Sequence, residues 1–316
     1  MDSGKQKPVQ RQAALARRPH FLSRKTGGDV VFDVINVTFL VLFCLSILYP
    51  FWSIFILSLA PEDIATTLGF RLWNERWSTK AYFFAFSEFG NAGVAYLNSI
   101  FRTVVGVVLT ITITLLAAYP LSKRELPARK PLMVFFLLTL FFVGGLIPRY
   151  LLVRGLGLYD SRWALILPVM AQAYYIIIMR NFLMTIDSAY EESAFIDGAN
   201  YAQVLMRIVV PLAKPVIATI ALWAAVFHWN SWFDALIYLR SESKIVLQLL
   251  LRRLVQVMAQ DTTDALDQFM TTYRSRVPSE AAKSAVIILT IGPIILLYPF
   301  IQRYFIKGVF LGSLKE

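Results

Sequence analysis

Six apolar stretches constrain this chain more than any other feature, because each meets or nearly meets the roughly 20 helical residues needed to cross a hydrocarbon core about 30 Å thick. They lie near residues 34–59, 97–121, 132–147, 163–182, 216–239 and 285–301, and Gly144, Gly145 and Pro148 break the far end of the third. With 57% hydrophobic and 16% charged residues, the chain carries more apolar surface than one water-soluble core could bury. The expected fold is therefore all-α and polytopic, with six transmembrane helices. The first stretch follows basic residues and precedes Ser58-Leu59-Ala60, which a cleaved leader could also show. Its apolar run exceeds the usual leader core, which favours a retained helix.

The net charge of +11 is confined to short polar segments, and their positions set the orientation. Lys5, Lys7, Arg11, Arg17, Arg18, Arg24 and Lys25 precede the first span, and Lys123, Arg124, Arg129 and Lys130 follow the second. Both groups belong on the cytoplasmic side. Arg303, Lys307 and Lys315 follow the sixth span, so both termini are expected to be cytoplasmic. Arg149, Arg154 and Arg162 then face outward, against the rule. Residues 1–28 read as a basic arm attracted to anionic lipid, and residues 29–316 as one membrane domain. That domain has an inner loop at 187–215 and a long outer loop at 240–283. Nothing in the pattern calls for a nucleic acid partner.

Catalytic and metal chemistry have little to work with. Cys44 is the one cysteine, and His20 and His228 are far apart, so no metal-ligand spacing exists. No Gly-x-x-x-x-Gly-Lys-Ser/Thr sequence occurs, so the chain has no phosphate loop of its own. No nucleophile and base can be assigned, which weighs against a membrane enzyme.

The inner loop has the sharpest local pattern. Asp187 or Ser188 can cap a first short helix carrying Glu191 and Glu192 near its positive end. Gly198 permits a left-handed bend, a second helix runs from about Tyr201 to Val209, and Pro211 and Pro215 turn the chain back. The product is a two-helix elbow with Ala194, Phe195, Ile196 and Ala199 at its corner. Such an elbow suits a socket on another protein. It also suits an amphipathic segment lying on lipid, and the physics alone leaves both open.

Glu192-Ser193-Ala194, then Gly198, then Ile208-x-Val210-Pro211, resembles the EAA motif of the membrane subunits of binding-protein-dependent ABC importers. Ser193 replaces the second alanine and Val210 the usual leucine. Ala118-Tyr119-Pro120-Leu121-Ser122, Gly144-Gly145-Leu146-Ile147-Pro148, Trp163-Ala164-Leu165-Ile166-Leu167-Pro168, Met179-Arg180-Asn181-Phe182 and Lys307-Gly308 are similar to the maltose-type oligosaccharide branch. The resemblance runs from about Val30 onward and leaves out the basic arm.

The resemblance implies a cytoplasmic helical coupling loop that inserts into an ABC ATPase dimer, with Glu192, Ser193, Ala194, Asp197, Gly198, Ala199, Ile208 and Pro211 as its contact set. Asp197 equally suits capping of the second helix. ATP and Mg would be held by the ATPase, and no cofactor by this chain. Further implied partners are a second permease subunit, usually a different chain, an extracytoplasmic solute-binding protein, an oligosaccharide and membrane lipid. The implied location is a bacterial inner membrane.

For the path, Trp223, Phe227, Asn230 and Asp234 fall at i, i+4, i+7 and i+11 of the fifth stretch, along one helical face. Aromatic rings interspersed with hydrogen-bonding groups suit sugars, but they equally suit an interfacial belt with Trp229, Trp232 and Tyr238. Gln172 and Tyr175 share a face of the fourth stretch, for substrate or for an interhelical bond. Residues 245–258, with Arg252 and Arg253 between apolar positions and then Asp261, Asp264 and Asp267, read as an amphipathic helix and a polar return. A neutral oligosaccharide stays equally open, but outward arginines could attract an acidic, uronate-containing oligosaccharide through steering. The Gly144-to-Pro148 variant resembles permeases for such sugars. A self-sufficient secondary transporter is the alternative, but it should show intramembrane ionisable residues or broken helices in corresponding halves.

Overall fold

The computed structural model describes residues 27–65, 72–87, 92–259 and 280–313; the basic arm up to residue 26, together with Asp261, Asp264 and Asp267, lies outside them. The described residues are helical, with no strand among them. In chain order the helices are α1 (Gly27–Ser58), α2 (Glu62–Ala65), α3 (Lys80–Ser87), α4 (Ala92–Ser122), α5 (Arg129–Phe141), α6 (Leu146–Gly155), α7 (Ala173–Leu183), α8 (Ala189–Ile196), α9 (Tyr201–Val204), α10 (Val210–Leu212), α11 (Lys214–Asn230), α12 (Phe233–Tyr238), α13 (Leu247–Ala259) and α14 (Glu280–Ser313). A π-helical segment, Leu205–Val209, joins α9 to α10.

By internal contacts the chain divides into residues 1–53 and 54–316. The first unit is described by its part of α1, where Val31, Phe32, Ile35, Phe39, Leu42 and Leu48 are all more than half exposed. A face so apolar is stable only against lipid or another protein.

The second unit is organised around α4. This 31-residue helix has a buried stripe of Ala95, Ser99, Arg102, Gly106, Thr110, Thr114 and Ala118 at intervals of three and four residues. One apolar core collects around Leu115, Tyr119, Ile176, Met179, Val209 and Ile220. Another collects around Ala92, Ala95, Trp229, Tyr238, Leu247 and Leu250. At 1.5 Å per residue, Ser99 and Tyr119 are roughly 30 Å apart along α4, so the helix spans a bilayer's hydrocarbon thickness with one core toward each end. Between them α4 and α11 cross closely, with Gly106 beneath the buried His228 ring. A Cβ at Gly106 would come within 2.5 Å of His228 Nε2.

Among the described residues, α1 and α4 are the two unbroken helices whose length and composition suffice to cross a membrane. The third predicted stretch is not one helix: α5 stops at Phe141 and α6 leaves at 112°. The break is at Gly145, whose φ of +81° an L side chain rarely adopts, and Pro148 is tolerated in the first turn of α6. The fourth stretch is also broken. Two short 3₁₀ turns, Arg162–Leu165 and Leu167–Val169, contain Pro168 and meet α7 at 48°.

The fifth stretch, expected to run to residue 239, ends as a helix at Asn230. Ser231 turns extended, and its carbonyl accepts a hydrogen bond from Arg102 Nη1 at 3.0 Å. A charged donor thus satisfies a backbone group that the broken helix would otherwise leave bare. The amphipathic helix read at 245–258 is α13, and α14 contains the sixth stretch.

Candidate functional site

The elbow is built from paired caps. The Asp187 carboxylate accepts from the Ala189 amide at 3.0 Å, whereas Ser188 makes no side-chain cap, so Asp187 opens α8. At the other end Gly198 N–H donates to the Phe195 carbonyl at 3.1 Å and Ala199 N–H to the Ala194 carbonyl at 2.9 Å. These two bonds form a Schellman closure with Gly198 at φ +81°, the left-handed position it requires. Two residues later the chain enters α9 through a reciprocal box. Asn200 Oδ1 accepts from the Gln203 amide and Gln203 Oε1 from the Asn200 amide, both at 2.9 Å. Asn200, not Asp197, therefore caps the second helix, and the Asn-x-x-Gln spacing was the signal that would have found it.

The two adjacent glutamates have opposite fates. Glu192 is exposed, while Glu191 is 8% exposed and turned toward α4. There Lys123 Nζ pairs with its Oε2 and the Tyr119 hydroxyl donates to the same oxygen at 3.0 Å. Lys123 also lies 4.6 Å from the Tyr119 ring centroid. The elbow is thus pinned to the C-terminal end of α4 by a half-buried, charge-assisted cluster. Glu191→Ala is expected to release it. Losing a paired group of this burial costs about 1–3 kcal/mol, so hydrogen exchange of amides 189–212 should rise about ten- to a hundredfold. Glu192→Ala is the control, expected to leave protection unchanged; equal protection in both variants would exclude the pin.

Beyond the pin, the elbow offers apolar surface. Ile196 is 86% exposed at the corner, beside Phe195, which meets Tyr201 edge-on at 4.9 Å. A recess of about 470 Å³ brings together Ala194, Asp197, Gly198, Ala199 and Ile208 of the expected contact set, with Gln203, Val204 and Arg207. Glu192 and Ser193 are exposed on α8, and Pro211 is exposed in α10.

The expected path stripe is shorter than its spacing suggested. Trp223, Phe227 and Asn230 are on α11, but the break at Ser231 places Asp234 on α12, off their face. Asp234 instead forms a two-pronged pair with Arg102, whose side chain is 2% exposed: Nη1 reaches Oδ1 at 3.1 Å and Nη2 pairs with Oδ2. Arg102 is the residue that sequence reading missed, although an arginine inside a span demands a partner. Tyr175 stacks on Trp223 across α7 and α11, with centroids 6.2 Å apart, and Tyr174 joins them at 5.9 Å. Gln172 precedes α7 and donates to the Val169 carbonyl at 3.4 Å, so it makes a local turn and not an interhelical bond.

At the other end of α4, Asn98 Nδ2 donates to the Ile245 carbonyl at 2.9 Å, and Ser99 Oγ accepts from the Leu247 amide at 2.8 Å. These bonds seat α13 on the helix start. Nearby Asp160, at φ +54°, accepts from the Arg240 and Ser241 amides, both at 2.9 Å, and from Lys244 Nζ at 2.9 Å. The Ser241 hydroxyl and amide, chiefly, hold its carboxyl well below the usual carboxylate range. The bond network it supports is present above the ordinary carboxylate pKa and lost only as pH falls through the depressed one.

A multi-helix membrane body whose polar elbow stands a bilayer's thickness from a second polar end describes a transport permease. Residues 94–311 match the family of binding-protein-dependent transport system inner membrane components, and the chain belongs to it. It is 40% identical over 288 residues to a polygalacturonan/rhamnogalacturonan transport system permease protein, YtcP, of Bacillus subtilis (strain 168), covering 90% of this chain and 98% of that one. It is 39% identical over 294 residues to Protein LplC of the same organism, covering 92% and 97%. It superposes with a TM-score of 0.78 and 33% identity on a chain from the crystal structure of a bacterial ABC transporter involved in import of the acidic polysaccharide alginate, covering 90% of this chain and 99% of that one. The chain is thus a sugar ABC permease, a multi-pass inner membrane protein.

Proposed function

We propose that this chain is one of two permease subunits of an ATP-driven importer and forms the path for a uronate-containing oligosaccharide handed over by a solute-binding protein. The elbow carries the reading: its corner at Ile196 and Phe195 leaves apolar surface exposed, while Glu191 fastens its base to α4. A surface element that is both sticky and rigidly tied to a membrane helix can convert a partner's movement into helix movement. On this reading residues 187–215 face the cytoplasm and sit in a cleft of an ATPase dimer. Glu192, Ser193, Ala194, Asp197, Gly198, Ala199, Ile208 and Pro211 make or shape the contact, and ATP and Mg belong to that partner.

Orientation follows from charge, since Lys123 pairs with Glu191 of the elbow and Arg124, Arg129 and Lys130 follow it in the same connection, where basic residues favour the cytoplasm. Arg149, Arg154 and Arg162 are exposed, and they add a steering field for a polyanionic sugar. Support for the acidic sugar class comes from two of the relatives above, one a polygalacturonan/rhamnogalacturonan permease and the other part of an alginate importer. Trp223 and Phe227, with Tyr175 against Trp223, form the aromatic part of the path, and Asn230 adds a hydrogen-bonding group beside them. Gln172 belongs to it as a local polar group, while Asp234 acts by holding Arg102.

Affinity purification of the chain from native membranes tests the assembly. An ATPase and a second permease should co-purify, and the reconstituted complex should take up oligogalacturonide only with ATP and a binding protein. Uptake driven by an ion gradient with the purified chain alone would sink the proposal.

A further inference from the structure

Three basic residues near the α13 end of the molecule are each neutralised by a carboxylate in a fixed geometry. Arg102 has Asp234, Lys244 has Asp160, and Arg253 Nη1 spans both Glu242 oxygens at 2.8 and 3.0 Å. Arg252, the next residue to Arg253, has no acidic partner among the described residues, and its Nε is buried without a hydrogen-bond partner. Its guanidinium carbon lies 3.5 Å from the Trp232 ring centroid. Stacking covers one face of the guanidinium and leaves its planar edge of donors to be met by something else.

What surrounds Arg252 is suited to a sugar. Gln248 stands four residues earlier on the same face of α13, and its Nε2 donates to Asn230 Oδ1 at 3.3 Å. The Gln248 carbonyl oxygen and the Asn230 amide nitrogen remain for hydroxyl groups. Phe233, half-exposed, meets Trp232 edge-on at 5.5 Å and extends the apolar surface. All four neighbours come from the helix break at Ser231 or from α13, at the end of α4 away from the elbow. On the orientation proposed above, this is the face that receives sugar from outside.

We infer that Arg252, laid on Trp232 and flanked by Gln248 and Asn230, is the group that recognises a uronate carboxylate as the oligosaccharide enters the permease. The inference rests on the acidic-oligosaccharide reading and adds the residue that enforces it. A carboxylate offers two oxygens to the guanidinium fork, and a charge-assisted pair of this kind is stronger than a neutral hydrogen bond. A neutral sugar gives the same fork nothing to neutralise it, so the site discriminates as well as binds.

The test uses the complete transporter in proteoliposomes, with trigalacturonate and its carboxyl-reduced counterpart as probes. Arg252→Gln is expected to lower the ratio of acidic to neutral uptake about ten- to a hundredfold, the range of a lost charged hydrogen bond. Arg252→Lys keeps the charge without the fork and should retain part of the trigalacturonate uptake. An equal loss for both sugars would mean that Arg252 only clamps α13 onto Trp232, and it would overturn the inference. So would unchanged trigalacturonate uptake in Arg252→Gln, or equal retention in Arg252→Gln and Arg252→Lys. If the unaltered transporter takes up the neutral trisaccharide and not trigalacturonate, the acidic reading itself fails, and that result is distinct from a failure of Arg252 alone.

Discussion

Proteoliposomes carrying Gly198→Val are expected to lose nearly all ATP-driven uptake while the permease still inserts and assembles, whereas Gly198→Asn retains a substantial part. The difference follows from backbone geometry, because among the described residues no atom lies within 4 Å of a Cβ built at Gly198, so a side chain there has room. The obstacle is the φ of +81°, which costs a β-branched residue about 1–3 kcal/mol and asparagine much less. Two hydrogen bonds close the α8 helix at this point, so a penalty of that size competes directly with the closure. When the closure opens, the Phe195–Ile196 corner loses its fixed direction, and on the proposed coupling role an ATPase movement would no longer be passed to α4. Valine and asparagine are close in size. Equal loss in both would mean that bulk in the docked interface, and not the bend, is what matters; full uptake with valine would remove Gly198 from the coupling role.

The sequence made the apolar stretches legible, and α1, α4 and α14 contain three of them as continuous helices. It was less informative about the other three, for a common physical reason. Hydropathy reports whether a residue tolerates lipid, not whether the backbone is straight, and Gly145, Pro168 and Ser231 each lie in an irregular part of a stretch whose average is apolar. Gly144, Gly145 and Pro148 did announce the first of these breaks. The break at Ser231 carried no such residue; it is set by tertiary structure, since Arg102 from a distant helix takes the freed carbonyl.

The elbow was legible for the opposite reason, because caps are local. Asp187, Gly198 and the Asn200–Gln203 box are all decided within four residues, and the two-helix corner appears where the spacing put it. What local reasoning could not do was tell Glu191 from Glu192. Both are acidic residues in the first turn of α8, and only the rotation that brings one of them to Lys123 and Tyr119 separates a buried anchor from an exposed one.

Removing the Asp234 carboxylate is expected to destabilise the permease more than releasing the Glu191 pin does. Asp234→Ala leaves the Arg102 guanidinium, 2% exposed, with the Ser231 carbonyl as its one remaining partner among the described residues, and an uncompensated buried charge of this kind costs about 3–5 kcal/mol. The Arg102 Nε already lacks a hydrogen-bond partner, so the site has no spare acceptor to take over. Arg102→Met should cost less, because the carboxylate of Asp234 is 23% exposed and can turn to water. The double variant Arg102→Met, Asp234→Ala removes both charges and should recover much of the loss, since no unpaired buried charge remains. Shifts in the thermal unfolding midpoint of the three variants against the unaltered protein in detergent, converted through the unfolding entropy, give the coupling energy. If the two single effects simply add, the pair is not a unit and the α11 break must be held by something else. Asp234→Asn separates structure from path: a residue facing substrate would change uptake with the midpoint intact, whereas a residue that holds Arg102 must lower the midpoint first.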